Sequence, residues 1–191
     1  MTQIVLFHHV LGLTDGLRHI ADRLRDAGHD VLTPDLFGGR TFATIAEGLA
    51  FSEDLGDDAL LSRAEDAVAG LETPIVAGVS MGGIPAEHLL LTRPVAGALL
   101  LSTFVDPGFL TGSWPDEVPV HVLGMDADPF FALEGDLDAA RAWAQVHDNL
   151  HVHVLPGDRH LFMDDSTDEY DAEATRLLIA RIDALVKGMA D

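Results

Sequence analysis

Residues 74–83 read Pro74-Ile75-Val76-Ala77-Gly78-Val79-Ser80-Met81-Gly82-Gly83. The first six form an apolar, β-like run, and the pattern Gly-x-Ser-x-Gly follows directly. A helical pattern then runs from Met81 to Thr92, and Pro94 stops it. Strand, glycine-flanked turn and helix, in that order, is the context that gives G-x-S-x-G a chemical meaning. The serine of such a turn sits on strained backbone with its hydroxyl lifted clear of the sheet. Its glycines keep β-carbons away from neighbouring main chain. The helix N-terminus behind it offers unpaired N–H groups and a positive dipole end to a developing anion. A phosphate-binding loop is the poorer reading, because the Walker lysine is missing and G-x-G-x-x-G is not met.

Outward from this turn, strands and helices alternate. Strands are predicted at residues 3–8, 30–33, 74–79, 97–102, 119–124 and 151–155. The first is nearly all apolar, as a strand buried on both faces requires. Helices are predicted at 15–27, 57–71, 81–92, 137–147 and 169–187, with 38–55 irregular or short-helical. In the first helix Leu17, Ile20, Ala21, Leu24 and Ala27 recur at helical spacing, and Gly28 caps its end. In the last, Ala172, Leu177, Leu178, Ile182 and Leu185 are expected to face inward. Such alternation predicts an α/β fold of three layers, with a six-stranded parallel sheet in the order 2-1-3-4-5-6 and helices on both faces. The 191 residues suit one domain spanning 1–191. Ligands of such sheets bind beyond the carboxyl ends of the strands, so the segments after strands are where chemistry is expected.

Composition narrows the partners. Lys+Arg 11 against Asp+Glu 32 leaves a formal charge of −21, which repels a phosphate backbone and an anionic membrane face alike. Neither nucleic acid nor a membrane is expected as a partner. No apolar run approaches the roughly 20 residues of a membrane span, and no basic segment precedes the first apolar stretch as in a signal peptide. Zero cysteines exclude disulfides, thiolate catalysis and cysteine metal sites, and favour a cytoplasmic location.

A serine hydroxyl becomes a nucleophile when a histidine takes its proton and a carboxylate orients that histidine. In a strand-turn-helix serine site the chain order is serine, acid, histidine. After the fifth strand comes Gly124-Met125-Asp126-Ala127-Asp128-Pro129-Phe130; after the sixth comes Pro156-Gly157-Asp158-Arg159-His160-Leu161-Phe162. His160 is therefore the candidate base. Asp126 and Asp128 both qualify as the acid; Asp128 is favoured because Pro129 fixes an extended turn there. Position alone assigns the oxyanion donors to the backbone N–H groups of Val10, after the first strand, and of Met81.

The chain resembles the dienelactone hydrolase family of α/β-hydrolases over most of its length. The resemblance is carried by residues 8–39, "HHVLGLTDGLRHIADRLRDAGHDVLTPDLFGG", and by "GVSMGG", "GMDADPFF" and "PGDRHLF". It implies Ser80 as nucleophile, Asp128 as acid, His160 as base and Val10 with Met81 as oxyanion hole, on a trimmed α/β-hydrolase fold without the usual antiparallel N-terminal strands. The founding enzymes carry cysteine where this chain has Ser80, and a glutamate that helps activate it where this chain has His9. A serine needs no such glutamate, so a Ser-His-Asp mechanism is self-consistent.

The reading that follows is a serine hydrolase acting on a small carboxylic ester or lactone. A thioesterase, a cofactor-free peroxidase or a non-enzymatic binding protein on the same scaffold are the alternatives. No cofactor and no metal are expected; His151 and His153 share a strand face but have no fixed carboxylate beside them. His9, Phe37, Phe104, Phe130 and Phe162 follow strands and are expected to contact substrate, with Trp114 in a similar position. A small molecule is the expected partner, and the chain is expected to be a monomer or homodimer.

Overall fold

The computed structural model describes residues 3–189. Its strands are β1 (Gln3–Phe7), β2 (Asp30–Leu32), β3 (Ile75–Val79), β4 (Gly97–Leu101), β5 (Val120–Met125) and β6 (Leu150–Leu155). Its helices are α1 (Asp15–Asp26), α2 (Ile45–Leu55), α3 (Asp57–Val68), α4 (Gly83–Thr92), α5 (Asp136–Trp143) and α6 (Ala172–Met189). The strands form one sheet in the order β2-β1-β3-β4-β5-β6, every neighbouring pair parallel, as predicted.

Two cores flank the sheet, and the side-chain alternation of β1 shows how they are divided. Ile4 and Leu6 face a core built with Leu17, Ile20 and Leu24 of α1 and Leu178 and Ile182 of α6. Val5 and Phe7 face the opposite core, with Leu60, Ala64 and Val68 of α3 and Leu89 and Leu90 of α4. Each side chain fully withdrawn from water in this way contributes roughly 1.5–3 kcal/mol before entropy is counted. Both faces of the central strands β1, β3, β4 and β5 are thus closed, which leaves their carboxyl ends to build a site.

Several helices depart from the sequence reading; α3 ends at Val68 rather than residue 71, and α5 at Trp143 rather than residue 147. Residues 45–55, within the stretch expected to be irregular or short-helical, form an 11-residue helix. Thr44 caps it by accepting from the Glu47 N–H, while the Glu47 carboxylate accepts from the Thr44 N–H. That reciprocal box satisfies the first-turn donors of a helix that buries little. The last helix starts at Ala172 rather than residue 169, because Asp171 accepts from the N–H groups of Glu173 and Ala174 and Glu169 turns away to accept from Leu161 N–H at 2.6 Å. Its buried face is Ala174, Thr175, Leu178, Ile182 and Val186. Ala172 and Leu177, expected inward, are exposed.

Candidate active site

Strand β3 is buried throughout and ends at Val79. Ser80 then takes φ +50°, in the left-handed region that non-glycine residues rarely enter. Such backbone costs on the order of 1–3 kcal/mol and persists only where its surroundings enforce it. The surroundings are visible in the flanking glycines. A β-carbon on Gly78 would collide with the Gly82 carbonyl, and one on Gly82 would lie 2.5 Å from the Phe7 carbonyl oxygen. The chain can reverse from strand to helix here only because both side chains are hydrogen. The serine hydroxyl is left at the carboxyl end of the sheet.

His160 lies 80 residues further on and meets Ser80 directly, with Nε2 at 2.7 Å from Oγ. Its Nδ1 lies 2.8 Å from Asp128 Oδ2 and 3.0 Å from Oδ1. Asp128 can only accept when ionised, so Nδ1–H donates to it and Nε2 accepts the Ser80 hydroxyl proton. Asp128 is wholly buried, and its Oδ1 also accepts from the N–H groups of Phe130 and Phe131 at 2.9 and 3.1 Å. Buried, it stays aimed at the imidazole. The Phe130 ring packs on the other side, its centroid 4.8 Å from that of His160.

Asp126, the competing acid, is exposed and accepts from the Gly157 N–H at 3.1 Å. It ties the loop after β5 to the loop after β6 and does not reach His160. The two aspartates are two residues apart and divide the work: one staples the loops, the other faces the histidine.

Val10 and Met81 line the same cavity as Ser80 and His160. Among the described residues the Val10 N–H donates to no backbone carbonyl, and Met81 sits in the first turn of the short 3-10 helix Ser80–Gly82, where N–H groups have no partner within the helix. The cavity measures about 410 Å³, enough for a small molecule. Ile45 and Leu49 of α2, Ile84 and Val105 supply apolar wall. Four carboxylates, Glu53, Asp57, Glu134 and Asp136, lie around it, and among the described residues no lysine or arginine does. Burial raises the pKa of Asp136, although its carboxylate accepts from the Phe104 N–H. Behind this wall Glu87 is fully buried; that burial pushes its carboxyl well above the usual range, while both of its oxygens accept from Val105 N–H.

No family model matches the chain and no curated protein matches it in sequence. Solved structures do. A dienelactone hydrolase-like promiscuous phosphotriesterase from metagenomic libraries superposes with a TM-score of 0.76 at 21% identity, over 99% of this chain and 87% of the other. A hyperthermophilic esterase from Pyrobaculum calidifontis gives 0.72 at 20% identity, over 100% and 75%. A Klebsiella pneumoniae protein named as a dienelactone hydrolase gives 0.71 at 16%, over 96% and 85%. The chain has the α/β-hydrolase fold.

On this α/β-hydrolase scaffold several expected substrate contacts are core residues instead. Of the five, only Phe130 lines the cavity. Phe37 is buried against His8 and Phe51, their ring centroids 4.8 and 4.9 Å away. Phe104 is buried in the same core, and Phe162 in the opposite one. Trp114 packs on Trp143 and donates to Asn149 Oδ1. Position after a strand places a residue at the right end of the sheet, but each loop then folds back, and large aromatic area is best hidden in the core.

His9 is corrected too. It is fully buried, with Nε2 at 2.6 Å from Asp164 Oδ2, and its Nδ1 accepts from the Leu11 N–H. It touches a buried aspartate and not the cavity. Asp164 also accepts from Thr14 Oγ1 and from the Ser166 N–H and hydroxyl. Burial alone would raise its pKa; the hydrogen bonds from His9, Ser166 and Thr14 outweigh that and hold it well below the usual carboxylate range. Sequence reasoning missed Asp164 because its partner is 155 residues away. His151 stacks on His121, and His153 bonds it at 3.1 Å; among the described residues no group of three or more possible ligands gathers for a metal.

Proposed function

We propose that this chain is a serine hydrolase that cleaves a small carboxylic ester or lactone through an acyl-enzyme. One observation carries the reading: His160 bonds Ser80 Oγ through Nε2 and Asp128 through Nδ1 at once. The strained φ of Ser80 and the positions of the Val10 and Met81 N–H groups support the same assignment.

As His160 Nε2 takes the proton, Ser80 Oγ attacks the carbonyl carbon, and the former carbonyl oxygen becomes an oxyanion. The Val10 and Met81 N–H groups donate to it, matched to charge that exists only near the transition state. Asp128 accepts from Nδ1–H and steadies the imidazolium. The tetrahedral intermediate collapses, the bond to the leaving oxygen breaks, and His160 Nε2–H protonates that oxygen. In a lactone the leaving hydroxyl stays tethered to the acyl group. Water, deprotonated by His160, attacks the acyl carbon; the second tetrahedral intermediate breaks the bond to Ser80 Oγ, which takes the proton back from His160 as the carboxylic acid leaves.

A fluorophosphonate probe tests the reading. Labelling of the wild type that vanishes in Ser80→Ala is expected, together with turnover of short acyl esters. Equal labelling of both proteins would remove Ser80 as the nucleophile. Turnover of thioesters with none of oxygen esters would move the substrate class.

A further inference from the structure

A second serine stands beside the proposed nucleophile. Val79 and Leu101 are paired in register at the ends of β3 and β4, so Ser80 and Ser102 leave adjacent strands side by side. Both have left-handed backbone, Ser102 with φ +54°, and among the described residues no other non-glycine has positive φ. Both line the cavity. They differ in hydrogen bonding. Ser80 is engaged by His160, whereas the Ser102 hydroxyl is buried and has no partner among the described residues.

The strain at Ser102 is held in place on every side. Its own N–H donates to the Leu123 carbonyl at 2.7 Å. Two residues on, the Phe104 N–H donates to Asp136, and the Val105 N–H donates to buried Glu87. A segment tied down by two acids could be expected to satisfy its one hydroxyl as well. A buried polar group left without a partner is costly, and unpaired groups cluster where a ligand completes them. Strained backbone clusters in the same places.

The charge around this hydroxyl restricts what can complete it. Glu53, Asp57, Glu134 and Asp136 line the cavity, and among the described residues its one basic side chain is His160. A carboxylate on the substrate would meet like charge. A hydroxyl or a protonated amine would instead find the acceptor oxygens of Ser102 and of the acids.

We propose that Ser102 is a specificity-determining residue whose hydroxyl hydrogen-bonds a donor substituent on the substrate, so that the ester or lactone taken here carries a hydroxyl or amino group and no carboxylate. This deepens the reading of Ser80 as a hydrolytic nucleophile and rests on it.

The test compares kcat/KM for ethyl butanoate, ethyl β-hydroxybutanoate, ethyl β-aminobutanoate, the hydroxyethyl and aminoethyl esters of butanoate, and monoethyl succinate. In the wild type, at least one hydroxylated or aminated ester is expected to exceed ethyl butanoate by about tenfold, with monoethyl succinate the poorest. In Ser102→Ala that preference ratio is expected to fall to about one. Ser102→Gly removes the hydroxyl and relieves the left-handed strain, so it separates the lost hydrogen bond from a distorted loop; it should lose the ratio equally. Which donor gains more distinguishes hydroxyl from amine. A wild type with no such preference, or a preference that survives in both variants, overturns the assignment while leaving Ser80-dependent turnover of ethyl butanoate intact. Absence of Ser80-dependent turnover with every ester overturns both readings together.

Discussion

His9 Nε2 and Asp164 Oδ2 lie 2.6 Å apart with no solvent exposure on either side chain. The pair joins the two loops that matter most to the site. His9 precedes Val10, whose N–H is a proposed oxyanion donor, and Asp164 follows His160 by one helical turn's worth of residues. The tie links the loop that carries Val10 to the loop that carries His160 without either of its members touching the cavity.

Because Asp164 is buried and accepts four hydrogen bonds, its removal strands several donors at once. Asp164→Ala is expected to destabilise the fold by about 3–5 kcal/mol, the range for breaking a buried ion pair or its equivalent. Asp164→Asn keeps the shape and is expected to cost less, while lowering kcat more than it raises KM. Urea midpoints and steady-state kinetics on the two variants check this. A stability unchanged in Asp164→Ala would show the network to be incidental.

The choice of acid is open to a direct comparison. Asp128→Asn should leave the fold intact and lower kcat on the order of 10³–10⁴-fold, since the amide cannot hold the imidazole in the productive tautomer. Asp126→Asn, which disturbs only an exposed loop contact to Gly157, should change kcat less than threefold. A reversed order would exclude Asp128 as the orienting acid.

Much of this was legible in the sequence because the strands are short, apolar and separated by amphipathic helices. The turn at Ser80 was readable because glycines at 78 and 82, placed between an apolar strand and a helix, permit the close backbone approach that such a turn needs. The helix at Ile45–Leu55 was legible only as an irregular or short-helical stretch, since Gly48 is its one fully buried residue and its apolar side chains Ile45, Phe51 and Leu55 are divided between the two cores. Its cap, Thr44-Ile45-Ala46-Glu47, was the usable signal. The roles of Phe37, Phe104, Phe162 and His9 were not legible at all. Each depends on the direction in which a loop folds back, and that is set by partners far along the chain, such as Asp164 for His9.

The aromatic residues now separate into two groups with opposite expected phenotypes. Phe104→Ala and Phe162→Ala should each cost about 3–5 kcal/mol of stability, as truncations of buried rings do. Phe130→Ala should cost under about 1.5 kcal/mol, because the ring is partly exposed, and should act on catalysis by freeing one face of His160. Thermal unfolding together with kinetics distinguishes the groups. Catalytic loss without destabilisation in Phe104→Ala would return that residue to the site.

His8 sets the last prediction, on acid stability. It is wholly buried at the end of β1, and burial pushes its pKa down from 6.5 to about 4. Its hydrogen bonds require the neutral ring: Nδ1–H donates to the His9 carbonyl at 2.8 Å, and Nε2 accepts from the Leu36 N–H at 3.0 Å. An imidazolium could not accept from Leu36. The unfolded chain therefore binds a proton at His8 that the folded chain refuses. That contribution is fully present above pH 6.5 and is lost as the pH falls toward 4, by up to ~3 kcal/mol. Burial likewise lowers the pKa of His121 to about 4, and adds to the slope. Glu87 and Asp136, whose pKa values are raised by burial, act in the opposite sense. Urea midpoints measured between pH 7 and pH 4.5 should fall with acid in the wild type and fall less in His8→Gln. An equal slope in the two proteins would show that His8 does not control the acid limb.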